Sequence, residues 1–183
     1  MHREDGLTED ELIAAALAGA GRLRRFALHL CGDVDTAEDL VQDGLLRALT
    51  SRKGLRDPAL VLPWLFSIVR RTFLDHRRRK EHRTQIVEAK LSAAEPSTGN
   101  LEAEILERGF SDEVSEALSK LPEEWRTSVL LCDVEGFSYQ EIAEALACPL
   151  GTVRSRIARA RAQLLTALRR DTLAGNVEPG VAT

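Results

Sequence analysis

The sequence has few of the residues that build sheets or membrane spans. Only eight of its 183 residues are aromatic, and β-branched residues form short runs, which argues against a β-sandwich or barrel. No apolar stretch approaches the roughly 18 residues that a membrane span requires. The small-residue run at 12–21 follows eleven residues with one Arg and five acids, the wrong charge for a signal peptide. We therefore predict a cytoplasmic protein without a membrane segment of its own.

Cysteine is equally scarce. Cys31, Cys132 and Cys148 are odd in number, and none lies in a C-x-x-C motif or at ligand spacing from a His, so neither a disulfide framework nor a metal site is expected. Two interpretations remain: small buried hydrophobes or, for Cys148 in a predicted turn, an oxidisable thiol. Paired carboxylates, a nucleophile with its base and a phosphate-binding glycine loop are not apparent either. We predict no enzymatic activity and no cofactor.

Helix-forming residues are abundant instead. Ala, Glu, Lys, Leu and Arg supply 94 residues, a composition typical of helix-rich proteins. Residues 92–100 read SAAEPSTGN, small and polar like a linker. The sequence predicts an all-α fold of two small helical domains joined by a flexible linker. The predicted ranges are a first domain at 8–90, the linker at 91–110, a second domain at 111–170 and a disordered tail at 171–183.

Several helix boundaries are predicted by local signals in the first domain. Thr8 and Glu11 form a capping box at the start of the first helical stretch. Gly32 is expected to end that stretch by adopting a left-handed backbone conformation. Asp35 or Thr36 is expected to cap the next helix. Pro63 fits the first turn of a long helix from Trp64 through Arg83 or beyond.

The second domain contains a helix-turn-helix pattern. Ser138 and Glu141 form a capping box for a helix at 139–147, and Pro149 opens a longer helix after a short turn. A buried stripe repeats along the longer helix at Val153, Ile157, Ala160, Leu164 and Leu168. The opposite face of this helix, predicted to be exposed to solvent, carries Arg154, Ser155, Ala158 and Arg159. Such a face can enter a DNA major groove, where Arg reads guanine, although a helical hairpin with a solvated basic face gives the same pattern.

Charge is segregated along the chain. The net charge is −4 overall, but it is −5 over residues 1–50, +7 over 51–90, −10 over 91–149 and +4 over 150–183. Arg outnumbers Lys 21 to 4, which favours bidentate contacts to phosphate and base edges. The two basic blocks indicate nucleic acid binding at two separated places, whereas the alternative for any single block is a solvated helix face.

Three sequence blocks resemble the bacterial sigma-70 family, most closely its extracytoplasmic function (ECF) group. Region 4 of that group is similar to LPEEWRTSVLLCDVEGFSYQEIAEALACPLGTVRSRIARARAQL. Region 2.2 is similar to DTAEDLVQDGLLRAL, and regions 2.3 and 2.4 are similar to PWLFSIVRRTFLDHRRRK. The blocks occur in the family's order over roughly residues 8 to 170. The resemblance implies a promoter-specificity subunit of RNA polymerase.

The resemblance also implies roles for individual residues. The face that docks on the core polymerase is expected to consist of Asp39, Gln42 and Asp43. Residues expected to hold the open −10 element are Arg56, Asp57, Arg70, Arg71 and Phe73, with phosphate contacts from Arg77, Arg78, Arg79 and Lys80. The −35 element is expected to meet Thr152, Arg154, Ser155, Ala158 and Arg159. Linker acids at Glu95, Glu102 and Glu104 are expected either near the RNA exit path or only as solubilising charge. An anti-sigma factor is an expected further partner.

The sequence departs from the family's pattern at three positions. Arg71 stands where members often have Asn, Ala147 replaces a Gly common in the helix-turn-helix turn, and Ala158 is small on the reading face. The −10 preference therefore cannot be copied from a relative, and Ala147 is expected to strain the turn.

Two other functions fit parts of the sequence. A sigma-like decoy that sequesters an anti-sigma factor without binding DNA has no need for the two basic blocks. A repressor or activator that uses only the helix-turn-helix leaves residues 8–90 unexplained.

Overall fold

A computed structural model describes residues 8–51, 57–88 and 109–174, and these ranges contain helices and no strand. The α-helices are α1 (Glu9–Cys31), α2 (Val34–Ser51), α3 (Val61–Glu88), α4 (Asp112–Ser119), α5 (Glu123–Val129), α6 (Tyr139–Ala145) and α7 (Leu150–Ala174). A 3-10 turn at Pro58–Leu60 leads into α3, and a π-helical turn at Leu130–Val134 extends α5. The all-α prediction is confirmed. Arg56, the linker acids at 95, 102 and 104, and the tail beyond 174 lie outside the described residues.

The ends of α1 follow the sequence signals. The Thr8 hydroxyl accepts a hydrogen bond from the Glu11 N–H at 3.3 Å, and the Glu11 carboxylate accepts one from the Thr8 N–H at 3.0 Å. Gly32 ends the helix with φ +78°, a conformation that costs glycine little because it has no Cβ.

The predicted cap of α2 at Asp35 or Thr36 is wrong. The Asp33 carboxylate accepts the hydrogen bond of the Thr36 N–H at 2.7 Å, and the helix begins at Val34. Gly32 reverses the chain so sharply that Asp33 already stands at the helix start. The hydrogen bonds from Thr36 lower the pKa of Asp33.

The third helix begins earlier than predicted, at Val61 instead of Trp64. The Asp57 carboxylate accepts a hydrogen bond from the Ala59 N–H at 2.9 Å and caps the 3-10 turn, which runs directly into α3. Pro63 still lies in the first helical turn, where a backbone N–H has no partner within the helix. Helices α1, α2 and α3 enclose the first core, whose largest buried side chains include Leu23, Phe26 and Leu65.

The second domain has the predicted helix-turn-helix in α6 and α7. The Ser138–Glu141 capping box is present, with the Glu141 carboxylate 2.7 Å from the Ser138 N–H. Helix α6 ends at Ala145, two residues before the predicted end, because Ala147 adopts φ +49°. Val153, Ile157 and Ala160 of α7 are fully buried. Leu164 and Leu168 are only partly buried, since the stripe extends past the helices that cover it.

The two domains contact each other directly. Helix α1 packs against α4, and α3 packs against α6. Phe66 of α3 and Phe137, which precedes α6, meet edge to face with ring centroids 5.3 Å apart. His29 at the end of α1 stacks on Phe110 at 4.6 Å. The sequence predicted two domains but no contact between them.

Replacing Ala147 by Gly is expected to stabilise the protein. Ala147 is exposed and holds a left-handed conformation, which costs a non-glycine residue about 1 kcal/mol or more. Urea denaturation should show a gain of about 0.5–1 kcal/mol for Ala147→Gly. The control is Ala162→Gly, at an exposed right-handed position in α7, which should lose about 1 kcal/mol. Equal losses in both variants would show that the turn is not strained.

Candidate nucleic-acid interface

The exposed face of α2 carries the acidic residues that the sequence singled out. Asp39, Gln42 and Asp43 are all exposed on one side of the helix, and Leu40 and Gly44 are buried on the other. The same side continues to Leu46, whose side chain is 63% exposed. We call Asp39, Gln42, Asp43 and Leu46 the acidic patch. Leu46 was not among the predicted site residues, although its spacing of three and four from Asp43 and Gln42 places it on their face.

The residues predicted to hold the −10 element do not form one open surface. Arg71 is exposed, but Arg70 turns toward the second domain and its side chain is only 19% exposed. Phe73 is 8% exposed and lies in the core, with the guanidinium of Arg77 5.9 Å from its ring centroid. A base cannot stack on Phe73 in this conformation, because the side chain is almost entirely buried. Asp57 is exposed and caps its own turn.

The basic run near the end of α3 is exposed on every side. Arg77, Arg78, Arg79 and Lys80 are consecutive and all exposed. Four consecutive residues cover a full helical turn, so this part of α3 projects beyond the core of its domain. Arg77 contacts Glu81 at 3.4 Å, and Arg79 donates to the Asp75 carbonyl at 3.3 Å. Long cationic side chains on such a projection suit phosphate contacts, which position a nucleic acid without reading its sequence.

The start of α7 presents the second basic face. Arg154, Ala158 and Arg159 are exposed, while Thr152 and Ser155 are partly buried. The Ser155 hydroxyl donates to the Thr152 carbonyl at 2.9 Å. The guanidinium of Arg159 lies 5.8 Å from the ring centroid of Trp125 in α5. Arg154 therefore extends from the first turns of the helix, whereas Arg159 lies along the body of its own domain.

An ion pair fixes α7 against the π-helical turn. Asp133 in that turn accepts two hydrogen bonds from Arg161 of α7, one of them from Nε at 3.0 Å. These bonds lower the pKa of Asp133. The neighbouring Cys132 has a raised pKa because of burial and the nearby carboxylate, so its thiol stays protonated at neutral pH. All three cysteines are partly buried, and the guanidinium of Arg156 lies 3.8 Å from the Cys148 sulfur.

Comparison with known proteins agrees with this arrangement. Residues 18–83 match the family Sigma-70 region 2, and residues 111–164 match Sigma-70, region 4. The ECF RNA polymerase sigma factor EcfG of Rhodopseudomonas palustris is 36% identical over 159 residues, covering 85% of this chain and 83% of that protein. The chain belongs to the ECF RNA polymerase sigma factors. A sigma factor is the subunit that directs RNA polymerase to specific promoters and starts transcription there.

Other sigma factors are similar to this chain in sequence and in fold. SigC of Mycobacterium tuberculosis is 34% identical over 153 residues, covering 82% of this chain and 80% of that protein. Among solved structures, the sigma factor RpoE of Bartonella quintana, in complex with the anti-sigma factor NepR, matches with a TM-score of 0.65 and 30% identity. That match covers 88% of this chain and 96% of the other. In this sigma factor, region 2 corresponds to α1–α3 and region 4 to α4–α7.

Two negative observations hold for the part of the sigma factor that the structure describes. No three His, Cys, Asp or Glu side chains there are grouped to hold a metal ion. No helix in the same ranges is long and apolar enough to cross a bilayer.

The Asp133–Arg161 pair should make stability depend on pH. The folded pKa of Asp133 is lowered, so its contribution is present above the unfolded pKa near 4 and is lost as pH falls through the folded value. Both side chains are more than a third exposed, which limits the contribution to about 1 kcal/mol or less. Asp133→Asn should therefore unfold more easily than wild type at pH 7, and the difference in unfolding free energy should be smaller at pH 3. An equal gap at both pH values would contradict this assignment.

Proposed function

We propose that this sigma factor docks on core polymerase through the acidic patch of α2 and binds promoter DNA with the basic faces of α3 and α7. The observation that carries the proposal is the separation of opposite charges onto different exposed helix faces. Region 2 exposes acids on α2 and four consecutive cations on α3. A polyanion is repelled by the first face and attracted by the second, so each face suits a different partner.

The acidic patch has the composition of a protein-docking surface. Asp39 and Asp43 supply charge that steers a basic partner surface into place, and Leu46 supplies exposed apolar area at one end of the patch. A basic surface on the core polymerase is the partner that the patch fits.

Different residues of the α7 face suit base contacts and phosphate contacts. Arg154 and Arg159 are five positions apart, which is about 140° around an ideal helix, so they cannot read the same base pair. Arg154 is the exposed residue free to enter a groove, while Arg159 must leave Trp125 to do so. Thr152 lies in the first turn of α7, where a phosphate is favoured by the helix dipole, and Ser155 follows three residues later on the proposed reading face.

Three further features belong to this proposal. The sigma factor acts by binding alone, with no cofactor and no catalysis of its own, and it acts in the cytoplasm, where polymerase and chromosome are found. An anti-sigma factor is a further partner, supported by the RpoE–NepR complex. The alternative of a decoy without DNA binding is disfavoured by the exposed cations of α3 and α7.

Charge reversal in the acidic patch should abolish core binding. Asp39→Arg with Asp43→Arg replaces attraction to a basic surface by repulsion, and both side chains are exposed, so the helical fold should remain. Binding to core polymerase from the host is measured by fluorescence anisotropy. The matched control is Glu113→Arg with Glu124→Arg, two exposed acids of region 4, which changes the net charge equally and should bind core like wild type. Wild-type affinity in the patch variant would refute the docking surface.

Alanine substitutions in α7 and in α3 should impair promoter binding in different ways. Arg154→Ala removes a base contact and should cost about 1–3 kcal/mol at one step of the −35 element only. Arg78→Ala with Arg79→Ala should weaken all promoters alike and reduce the slope of log affinity against log salt by about 0.9 for each phosphate that the protein no longer neutralises. Each holoenzyme transcribes a library of randomised −35 and −10 elements at several salt concentrations.

The control for that experiment is Arg169→Ala, an exposed arginine far along α7, which should change neither preference nor slope. A uniform loss at all promoters for Arg154→Ala would show that Arg154 binds phosphate and that the reading face is rotated.

A further inference from the structure

An exposed apolar face runs along α1 and takes no part in the proposed contacts with polymerase or DNA. Residues 12–21 contain no charged side chain. The side chains of Ile13 and Leu17, about one helical turn apart, are 43% and 74% exposed. Three small residues are exposed on the same side, because steps of three and four positions return to one face of a helix. We call this surface the α1 face, and it consists of Ile13, Ala14, Leu17, Ala18 and Gly21.

The contacts that α1 makes within the chain lie on its other sides. Leu12 and Leu23 are buried in the core of region 2. Arg22 donates a hydrogen bond to Glu135 of region 4 at 2.7 Å, and it lies five positions from Leu17, which is about 140° around an ideal helix. The α1 face is therefore exposed to a partner outside this chain.

Gly21 has no neighbour among the described residues that would require a glycine. A Cβ added to Gly21 would meet none of their atoms within 4 Å, whereas a Cβ added to Gly19 would lie 2.5 Å from Leu62 Cδ1. Glycine in a helix interior destabilises the helix relative to alanine, and packing within the chain does not explain that cost at Gly21. The distance between two packed helices depends on the side chains at their contact, so a glycine on an exposed face lets a second helix approach closely.

Opposite charges stand at the two ends of the α1 face. Asp10 and Arg25 are both exposed, and they lie fifteen positions apart, about 22 Å along an ideal helix. Both lie within about 80° of Leu17 around the helix axis. A second α1 helix that runs antiparallel to the first brings the arginine end of each copy to the aspartate end of the other. A parallel pair would set like charges against each other at both ends, so the charges favour the antiparallel arrangement.

The antiparallel arrangement also sets large side chains against small ones. A two-fold axis midway along the α1 face places Leu17 of each copy opposite Ala18 of the other. In the same register Ala14 faces Gly21. Each leucine thus packs over small residues, as the side-chain ridges of one helix pack into the grooves of another. A surface that is complementary to itself forms a closed two-fold dimer.

We propose that the α1 face binds the α1 face of a second copy of this sigma factor, so that the free chain forms an antiparallel two-fold dimer. The contact is about 22 Å long and about 10 Å wide, which is well below the roughly 800 Å² per partner of a standard interface. The dimer is therefore weak, and it forms and separates reversibly with concentration. Its formation does not depend on the proposed contacts with polymerase or DNA.

The first test measures the mass of the full-length chain in solution. Sedimentation equilibrium from about 1 μM to about 1 mM should show the wild-type mass rising from that of one chain toward that of two. Leu17→Glu should keep the mass of one chain throughout, because a dimer would bury its carboxylates without partners. The matched control is Leu165→Glu, at a leucine of α7 that is 52% exposed, which should associate like wild type. Circular dichroism of each variant checks that helix content is retained.

The second test uses the charges at the ends of the face. Asp10→Arg alone and Arg25→Glu alone each set like charges against each other at both ends of the dimer, so each should associate several-fold more weakly than wild type at low salt. An equimolar mixture of the two variants should dimerise like wild type, because both ends then join opposite charges. The chain that carries both substitutions should also recover, since the antiparallel arrangement again pairs opposite charges.

The third test fills the space that Gly21 leaves. Gly21→Leu should weaken association several-fold, because the added side chain keeps the two helices apart. Its melting temperature should equal or exceed that of wild type, since leucine favours a helix more than glycine does and the added Cβ meets no described atom within 4 Å.

Several outcomes would overturn the dimer. One is a wild-type chain that keeps the mass of a single copy up to about 1 mM. Another is equal association of wild type and Leu17→Glu, which would place the contact on a different surface. A monomeric wild type whose Leu17→Glu variant loses affinity for core polymerase would assign the α1 face to polymerase instead.

Discussion

The burial of opposite charges between its two halves is the constraint on which this sigma factor's structure depends. Arg70 and Arg22 of region 2 have their counter-charges on Glu123 and Glu135 of region 4. Removing one partner of a fully buried pair costs about 3–5 kcal/mol, because the other charge is left without water or a counter-ion. The cost is smaller where one side chain reaches water, as Arg22 does with 34% of its side chain exposed. The same pairs add little when replaced by well-packed apolar groups. They therefore specify one arrangement of the two regions more strongly than they stabilise it.

That arrangement decides which functional surfaces face solvent. The acidic patch on α2 stays exposed, and so does the basic run of α3 at residues 77–80. Arg70, only one residue from the exposed Arg71, lies on the side that region 4 covers. The neighbouring residues Arg70 and Arg71 thus differ in their exposure to solvent, because successive residues are about 100° apart around the helix axis.

Several local contacts within region 4 fix the orientation of α7, the helix proposed to contact bases. Ala147 turns the chain with a positive φ, and Pro149 accepts the first hydrogen bonds of α7, from Thr152 and Val153. Asp133 then ties the helix to the π-helical turn through Arg161. The turn accepts local strain because the fully buried Val153 and Ile157 secure the helix on its other face. Arg154 is consequently held outward by packing on the opposite side of its own helix.

The sequence by itself determined the all-helical fold, its two domains and the caps of α1 and α6, since these depend largely on residues three or four positions apart. It placed the cap of α2 two or three residues too late. The capping boxes at Thr8 and Ser138 and the stop at Gly32 were readable because both partners lie within one turn. Phe73, which the family resemblance assigned to a base contact, is buried in the core instead. Only the tertiary structure decided that Arg70 meets Glu123, 53 positions away, and that Arg22 meets Glu135 at a separation of 113. No local pattern marks such partners, because a charged residue on the outer face of a helix looks the same in sequence whether water or another domain covers it.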